Sequence, residues 1–536
     1  MALKLSERML VSGDEALAFA ALDSRVALGA GYPGTPSSEI LETFARLGGH
    51  AEWAPNEKVA LEVTLGAAFG GARAMATMKH VGLNVAADPF FTAAYTGTAG
   101  ALIVVSADDP GMASSQNEQD NRRYAEAAGV PMIEPSDSQE TYDFFFTAIE
   151  IAERWRIPVL FRMTTRVCHS KSSLVRRKQP LAPPAYGFEH DRKSRVMVPG
   201  NARPAHRRLR AKLAEIAQWN ENSALNTVKA GSKDLGLITS GVCYLHAREA
   251  APEASILKLG MTYPIPFKRI REFAKSLKRI VVIEEGDPFL TTALRANGLP
   301  AEGKAEMYRF GELSVERVRR ILAGDISPEA PPIPGKPPQF CVGCPHRRTF
   351  EVLGKMDLTV AGDIGCYTLG VLPPFNAMDS CVCMGASIGV GLGLRHVLPE
   401  DQARRVVSVI GDSTFAHSGL TGLAEMVYNP PKTGHVVLIL DNGTTAMTGL
   451  QDHPGTGYTL GNCASGRMNF EAIGAAMGIS KVHTIGQKDS AEDLENLLRE
   501  SLASNDLTLI VVRNPCLLAA KKIRAREQAA APAATV

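Results

Sequence analysis

The chain is expected to be a multi-domain α/β protein built on parallel sheets, and three observations point to this. Short apolar runs such as residues 101–106 and 436–440 alternate with helical stretches. Several of these runs end in turn-rich loops, the clearest being Gly31-Tyr-Pro-Gly-Thr-Pro-Ser-Ser38. Glycine is abundant, at 48 of 536 residues, while tryptophan occurs three times, which suits many tight strand-to-helix turns. At about 150 residues per domain, the length allows three to four domains.

Taken in order, residues 26–30 read as a strand running into the 31–38 loop, where Ser37 or Ser38 could cap a helix starting near Glu39. Residues 57–72 read as a helix packed through small side chains. Residues 101–106 and 158–163 read as buried strands, which together give a first domain over 1–170. Proline and basic residues (Arg176-Arg-Lys178, Arg207-Arg208) then mark a solvated connector over 171–235, with one helix near 208–219. Strands at 236–240, 254–259 and 279–285 predict a smaller α/β domain over 236–325, followed by a proline-rich linker over 326–340. Strands at 358–360, 405–410, 436–440 and 508–512 predict a last parallel-sheet domain over 341–520. The Ala/Pro-rich end of the 521–536 tail is expected to be disordered.

With 58 basic and 56 acidic side chains the net charge is +2, so neither nucleic acid nor an anionic membrane is expected as a partner. No apolar run is long enough for a membrane span. The charged N-terminus has no signal-peptide core, which implies a cytoplasmic location. The nine cysteines, an odd number, imply reduced thiols or metal ligands rather than a disulfide framework.

The most specific motif is Val406-Val-Ser-Val-Ile-Gly-Asp412-Ser413 with Val436-Val-Leu-Ile-Leu-Asp-Asn442-Gly-Thr444. One strand ends in Gly411-Asp412, and the next ends in Asp441-Asn442. In a parallel β-α-β unit both turns lie at the carboxyl edge of the sheet, where ligands bind. Asp412, Asn442 and the carbonyl of Thr444 are hard oxygen donors suited to Mg²⁺ and phosphate, and Gly411 allows close approach. The pattern resembles the thiamine-diphosphate motif, with Ser413 and Asp441 as departures from it. Such a cofactor needs a buried carboxyl against its aminopyrimidine ring. Glu57 is the candidate, because it opens a helix after a loop. Glu62 would point about 140° away from it.

Around these residues lie Gly31-Tyr-Pro-Gly-Thr-Pro-Ser-Ser38, Asn56-Glu57-Lys58, Met78-Lys-His-Val-Gly-Leu-Asn84, Ser115-Gln-Asn-Glu-Gln119, Gly343-Cys-Pro-His-Arg347, Gly362-Asp-Ile-Gly-Cys-Tyr367 and Gly411-Asp-Ser-Thr-Phe-Ala-His-Ser-Gly419. Together they resemble the large subunits of the indolepyruvate branch of the 2-oxoacid:ferredoxin oxidoreductases, over nearly the whole chain. The resemblance implies a thiamine-diphosphate-binding fold, with pyrimidine-binding (1–170) and diphosphate-binding (341–520) domains that clamp the cofactor between them. It implies that Glu57 activates the aminopyrimidine and that Thr35 lies near the cofactor. It also implies that Lys79, His80, Asn84 and His417 hold the 2-oxo acid's oxygens.

Cys341-Val-Gly-Cys344, Cys366 and Cys516 can complete a four-sulfur site. Pattern alone favours structural zinc. The one-electron chemistry of a ferredoxin partner favours a 4Fe-4S cluster, and the family's cluster has the same cysteine layout. Cys381 and Cys383 are rival ligands, whereas Cys168, Cys243 and Cys463 read as buried thiols. The family commonly continues into a ferredoxin-like tail. Here residues 517–536 follow Cys516 and hold no cysteine, so the resemblance implies a ferredoxin or a ferredoxin-like subunit as acceptor. It further implies a smaller partner subunit in a hetero-oligomer, an aryl 2-oxo acid and coenzyme A as substrates, and an aryl-acetyl-CoA product. A non-oxidative thiamine-dependent decarboxylase or ligase with structural zinc is the alternative.

Overall fold

A computed structural model describes residues 8–331, 335 and 337–530. The chain divides into two compact units, Met1–Ala330 and Pro331–Val536.

The first unit is organised around a seven-stranded sheet. Its strands, in spatial order, are Met261–Tyr263, Met132–Ile133, Val159–Thr164, Leu102–Asp108, Ala74–Lys79, Leu28–Gly31 and Ala51–Trp53. All pairings are parallel except that of the Met261–Tyr263 edge. Leu102–Asp108 and Val159–Thr164 are buried at every position, which is why they read as unbroken apolar runs. A second sheet, ordered Arg279–Ile283, Ser232–Ser240, Ala254–Leu259 and Thr227–Lys229, belongs to the same unit. Met261–Tyr263 leaves this second sheet's segment and closes the edge of the first.

A buried ionic network ties the two sheets together. Arg122 pairs with Asp120 at 2.6 Å and with Glu284, just past the strand Arg279–Ile283, at 2.8 Å. Arg162 pairs with Asp108 at 2.7 Å and with Glu134. Arg122→Met would leave Asp120 and Glu284 buried without their guanidinium. It is expected to cost about 3–5 kcal/mol, measured as a lower denaturation midpoint.

The connector differs from expectation. Its helix spans Pro199–Asn220, nine residues longer at its start than the apolar spacing alone suggested, and it opens with Pro199 in the first turn, where a missing N–H costs nothing. Ser172–Val175 pairs antiparallel with Arg8–Val11. Arg176, read as part of a solvated basic run, is buried and bonds Asp23 through Nε at 2.9 Å. Ser37 and Ser38 do not cap the helix Ser38–Arg46. Their hydroxyls bond the carbonyl and the N–H of Gly34, at 2.8 and 2.9 Å, and close the loop on itself.

The second unit holds five parallel strands, ordered Thr359–Ala361, Val406–Gly411, His435–Asp441, Leu507–Arg513 and Lys481–Ile485. Apolar clusters cover both of its faces. The linker expected over 326–340 falls partly on residues 332–334 and 336, which lie outside the described residues. Of the tail, Ala520–Ala530 is helical and 531–536 lie outside the described residues. Among the described residues no helix is long and apolar enough to cross a membrane.

Candidate active site

In the first unit, the expected residues gather at the carboxyl edge of the parallel sheet. Asn56 caps the helix Glu57–Phe69 by accepting from the N–H of Val59 at 2.9 Å, and this places Glu57 in the first turn. Glu57 is 5% exposed. Its carboxylate lies against Gly82, where a Cβ would come within 2.6 Å of Oε1. The glycine in the Met78–Asn84 motif is therefore space for this carboxylate. Gly82→Ala should displace Glu57 and lower turnover up to about 10²-fold without unfolding the unit, as steady-state rates and circular dichroism would show. Glu62 instead pairs with Lys58 on the helix surface. Thr35 sits half-buried in the 31–38 loop.

Lys79 and His80 follow directly from the strand Ala74–Lys79. Lys79 donates to the Ser114 carbonyl at 2.6 Å; burial lowers its pKa, opposed by Asp109. His80 is fully buried, and its Nε2 lies 3.2 Å from the carbonyl of Asn117. A carbonyl only accepts, so Nε2 carries the proton. Burial lowers the ring's pKa. The backbone carbonyl of His80 accepts from Gln119 and Asn121 at 2.9 and 3.0 Å. These contacts tie His80 to the 117–121 segment through Nε2 and the backbone carbonyl, while its buried Nδ1 has no hydrogen-bond partner. Asn84 is exposed, accepts from Tyr124 Oη at 2.5 Å and donates to Gln119 at 2.8 Å.

In the second unit, the two strand-end turns touch. One Asp412 oxygen accepts from the N–H of Ser413 at 2.9 Å, and the other accepts from the N–H of Gly443 at 2.9 Å. The second oxygen also lies 3.2 Å from Nε2 of His453. Burial pushes the Asp412 carboxyl up, but His453 and these hydrogen bonds outweigh it and hold it below the usual range. Asn442 Oδ1 accepts from the N–H of Thr444 at 3.0 Å. Asp412, Ser413, Asn442 and Thr444 are all buried. Asp441 shares the Gly443 N–H, at 3.2 Å, and accepts from Arg513 Nε at 2.8 Å. At Gly411 a Cβ would sit 2.7 Å from the Tyr367 ring, so the glycine admits that ring. His417 lies in a single π-helical turn, Phe415–Gly419, with Nδ1 2.7 Å from Ser418 Oγ. Such turns recur at functional sites.

The thiols meet at the same edge. Cys516, just past the strand Leu507–Arg513, donates its N–H to the Asn442 carbonyl at 2.9 Å. The N–H of Cys344 bonds the Cys341 carbonyl at 3.0 Å, and Gly343 between them lies against Leu517. Cys366 follows the strand Thr359–Ala361. Burial raises its thiol to about 11, and the thiols of Cys344, Cys516 and Cys341 push the same way. Cys381 and Cys383 face another neighbour: after burial, Asp363 is the main influence on both. Cys168 and Cys243 are buried, but Cys463 is exposed, because it sits in a surface turn bonded to Thr459.

Residues 20–206 match the family described as "Pyruvate flavodoxin/ferredoxin oxidoreductase, thiamine diP-bdg". Residues 363–512 match "Thiamine pyrophosphate enzyme, C-terminal TPP binding domain". The indolepyruvate oxidoreductase subunit IorA of Archaeoglobus fulgidus is 37% identical, over 97% of this chain and 88% of that protein. Its counterpart in Methanothermobacter thermautotrophicus is 38% identical, over 98% and 89%. The chain belongs to the IorA family of indolepyruvate oxidoreductase subunits. The chain also shares its fold with a 2-oxoglutarate:ferredoxin oxidoreductase from Magnetococcus marinus, at a TM-score of 0.52 and 17% identity, over 60% of this chain and 66% of the other. Its fold is the thiamine-diphosphate-binding α/β fold.

Three residues that shape this candidate site were missed in the sequence. His453 steadies Asp412. His346 has its Nε2 3.4 Å from Asn442 Nδ2, and burial pushes its pKa down to about 4. Asp363 accepts from the N–H groups of Gly385 and Ser387 at 2.9 and 3.0 Å, fixing the start of the helix Ala386–Val397. Asp363 and His346 stood within motifs already noted, whereas His453 had no spacing rule to reveal it.

Proposed function

We propose that this chain, with a smaller partner subunit, carries out thiamine-diphosphate-dependent oxidative decarboxylation of an aryl 2-oxo acid of the indolepyruvate kind. The product would be the aryl-acetyl-CoA, and electrons would leave through a 4Fe-4S cluster to ferredoxin or a ferredoxin-like subunit. The hydrogen bond from Cys516 to Asn442 carries the reading, because it puts a candidate cluster ligand beside a candidate Mg²⁺ ligand.

The donor chemistry fits both groups. Asp412, Asn442 and the Thr444 carbonyl offer the hard oxygens that Mg²⁺ and a diphosphate need, with Gly411 and Ser413 completing the turn around them. Glu57 offers the buried carboxyl that an aminopyrimidine needs, and Thr35 lies in the neighbouring loop. Bound thiamine diphosphate supplies a nucleophilic ring carbon at which a 2-oxo acid can lose CO₂. The Glu57 carboxyl exchanges a proton with the aminopyrimidine ring. His453 and the Gly443 N–H hold the Asp412 carboxylate in place for the metal. Lys79, His80, Asn84 and His417 would provide the polar groups for the substrate's carboxylate and carbonyl.

The four thiols Cys341, Cys344, Cys366 and Cys516 influence one another, which suits a shared cluster.

The test is anaerobic turnover of a panel of 2-oxo acids with coenzyme A and a viologen acceptor, with and without the smaller subunit. Aryl substrates should lead, and the partner should be required. Preference for an aliphatic substrate would overturn the substrate assignment. Asp412→Ala removes the charged metal donor from a turn and should weaken cofactor retention while sparing the fold. Unchanged affinity in a cofactor titration would sink the Mg²⁺ assignment.

A further inference from the structure

We propose that Asp14, Glu39 and His169 form a binding site for a first-row divalent cation, made wholly of first-unit residues. Asp14 lies in the first turn of the helix Gly13–Asp23 and is fully buried. Neither of its carboxylate oxygens receives a hydrogen bond of good geometry, although the Cys168 thiol lies close enough to act on it. A buried carboxylate of this kind must be neutralised, by a proton or by a cation. One ligand atom each from Asp14, Glu39 and His169 lies within 4.8 Å of the other two. Three separate elements supply them: the first helix, the start of the helix Ser38–Arg46, and the end of the short helix Thr165–His169.

Burial raises the Asp14 pKa and the Glu39 charge raises it further, while the Cys168 thiol opposes them. A cation between the two carboxylates would remove both penalties. Two carboxylate oxygens and one imidazole nitrogen suit Mn²⁺, Fe²⁺ or Zn²⁺. Glu39 and His169 are exposed, so the site has an entry path and room for water ligands. Glu39 also follows the 31–38 loop directly, so a bound cation would anchor the end of the segment that carries Thr35.

Mn²⁺ is the probe, because it favours carboxylate and imidazole over thiolate. The assembled oxidoreductase, kept anaerobic and saturated with Mg²⁺ and thiamine diphosphate, would be titrated with Mn²⁺ and read by electron paramagnetic resonance. Wild type should bind one Mn²⁺ per chain that His169→Ala and Asp14→Asn bind at least about ten-fold more weakly. Iron and thiamine diphosphate contents should not change. Equal Mn²⁺ binding by wild type and both variants, or no binding by wild type at millimolar Mn²⁺, would overturn the proposal. If Asp14→Asn disturbs folding, the surface substitution His169→Ala still decides. The readout is independent of turnover, so failure here is distinguishable from failure of the proposed reaction.

Discussion

Glu57→Gln is expected to lower turnover by at least about 10²-fold, the usual loss when a general acid–base group is removed. Glutamine keeps the shape beside Gly82 and can still accept a hydrogen bond, but it cannot exchange the proton. Thiamine diphosphate should therefore still bind, and the loss should fall on kcat. Glu62→Gln is the control. Glu62 is 44% exposed and paired with Lys58, so its substitution should leave kcat unchanged. If Glu62→Gln abolished turnover while Glu57→Gln did not, the carboxylate would be wrongly assigned.

Cys516→Ser should lose or distort the cluster and abolish reduction of a one-electron acceptor, because thiolates are the ligands. Asp412 and Asn442 are untouched by it, so thiamine diphosphate should remain bound. Cys383→Ser should keep its iron, since Cys383 lies under the influence of Asp363 rather than of the four thiols. Iron analysis of the two variants reads the outcome directly. Full iron in Cys516→Ser with iron lost from Cys383→Ser would exchange the two ligands.

The long parallel strands were legible because burial on both faces leaves an apolar run, as in His435–Asp441, buried at all positions. The short edge strand Met261–Tyr263 and its neighbour Met132–Ile133 were not. Two or three residues carry no period, and their pairing joins segments more than a hundred residues apart. Arg176 shows the same limit for charge. A basic run reads as solvated until the fold supplies Asp23 from the first helix.

At the site, Asp412 and Asn442 were legible because strand-end donors on adjacent parallel strands must share an edge. Cys516 was reachable only through the family layout, since its bond to the Asn442 carbonyl depends on strand order. His453 was hidden for a related reason: it reaches Asp412 from a loop, where spacing predicts nothing. Ser37 and Ser38 carried the right cap chemistry but found Gly34 as a nearer partner.

The most direct test of an oxidative reaction through the cluster is a stoichiometry. The assembled enzyme, anaerobic, is given indolepyruvate, coenzyme A and a one-electron viologen, and CO₂ and reduced viologen are measured in the same vessel. Two viologens reduced for each CO₂ released is the expected result. CO₂ released without viologen reduction, from protein carrying zinc in place of iron, would contradict it and establish non-oxidative decarboxylation.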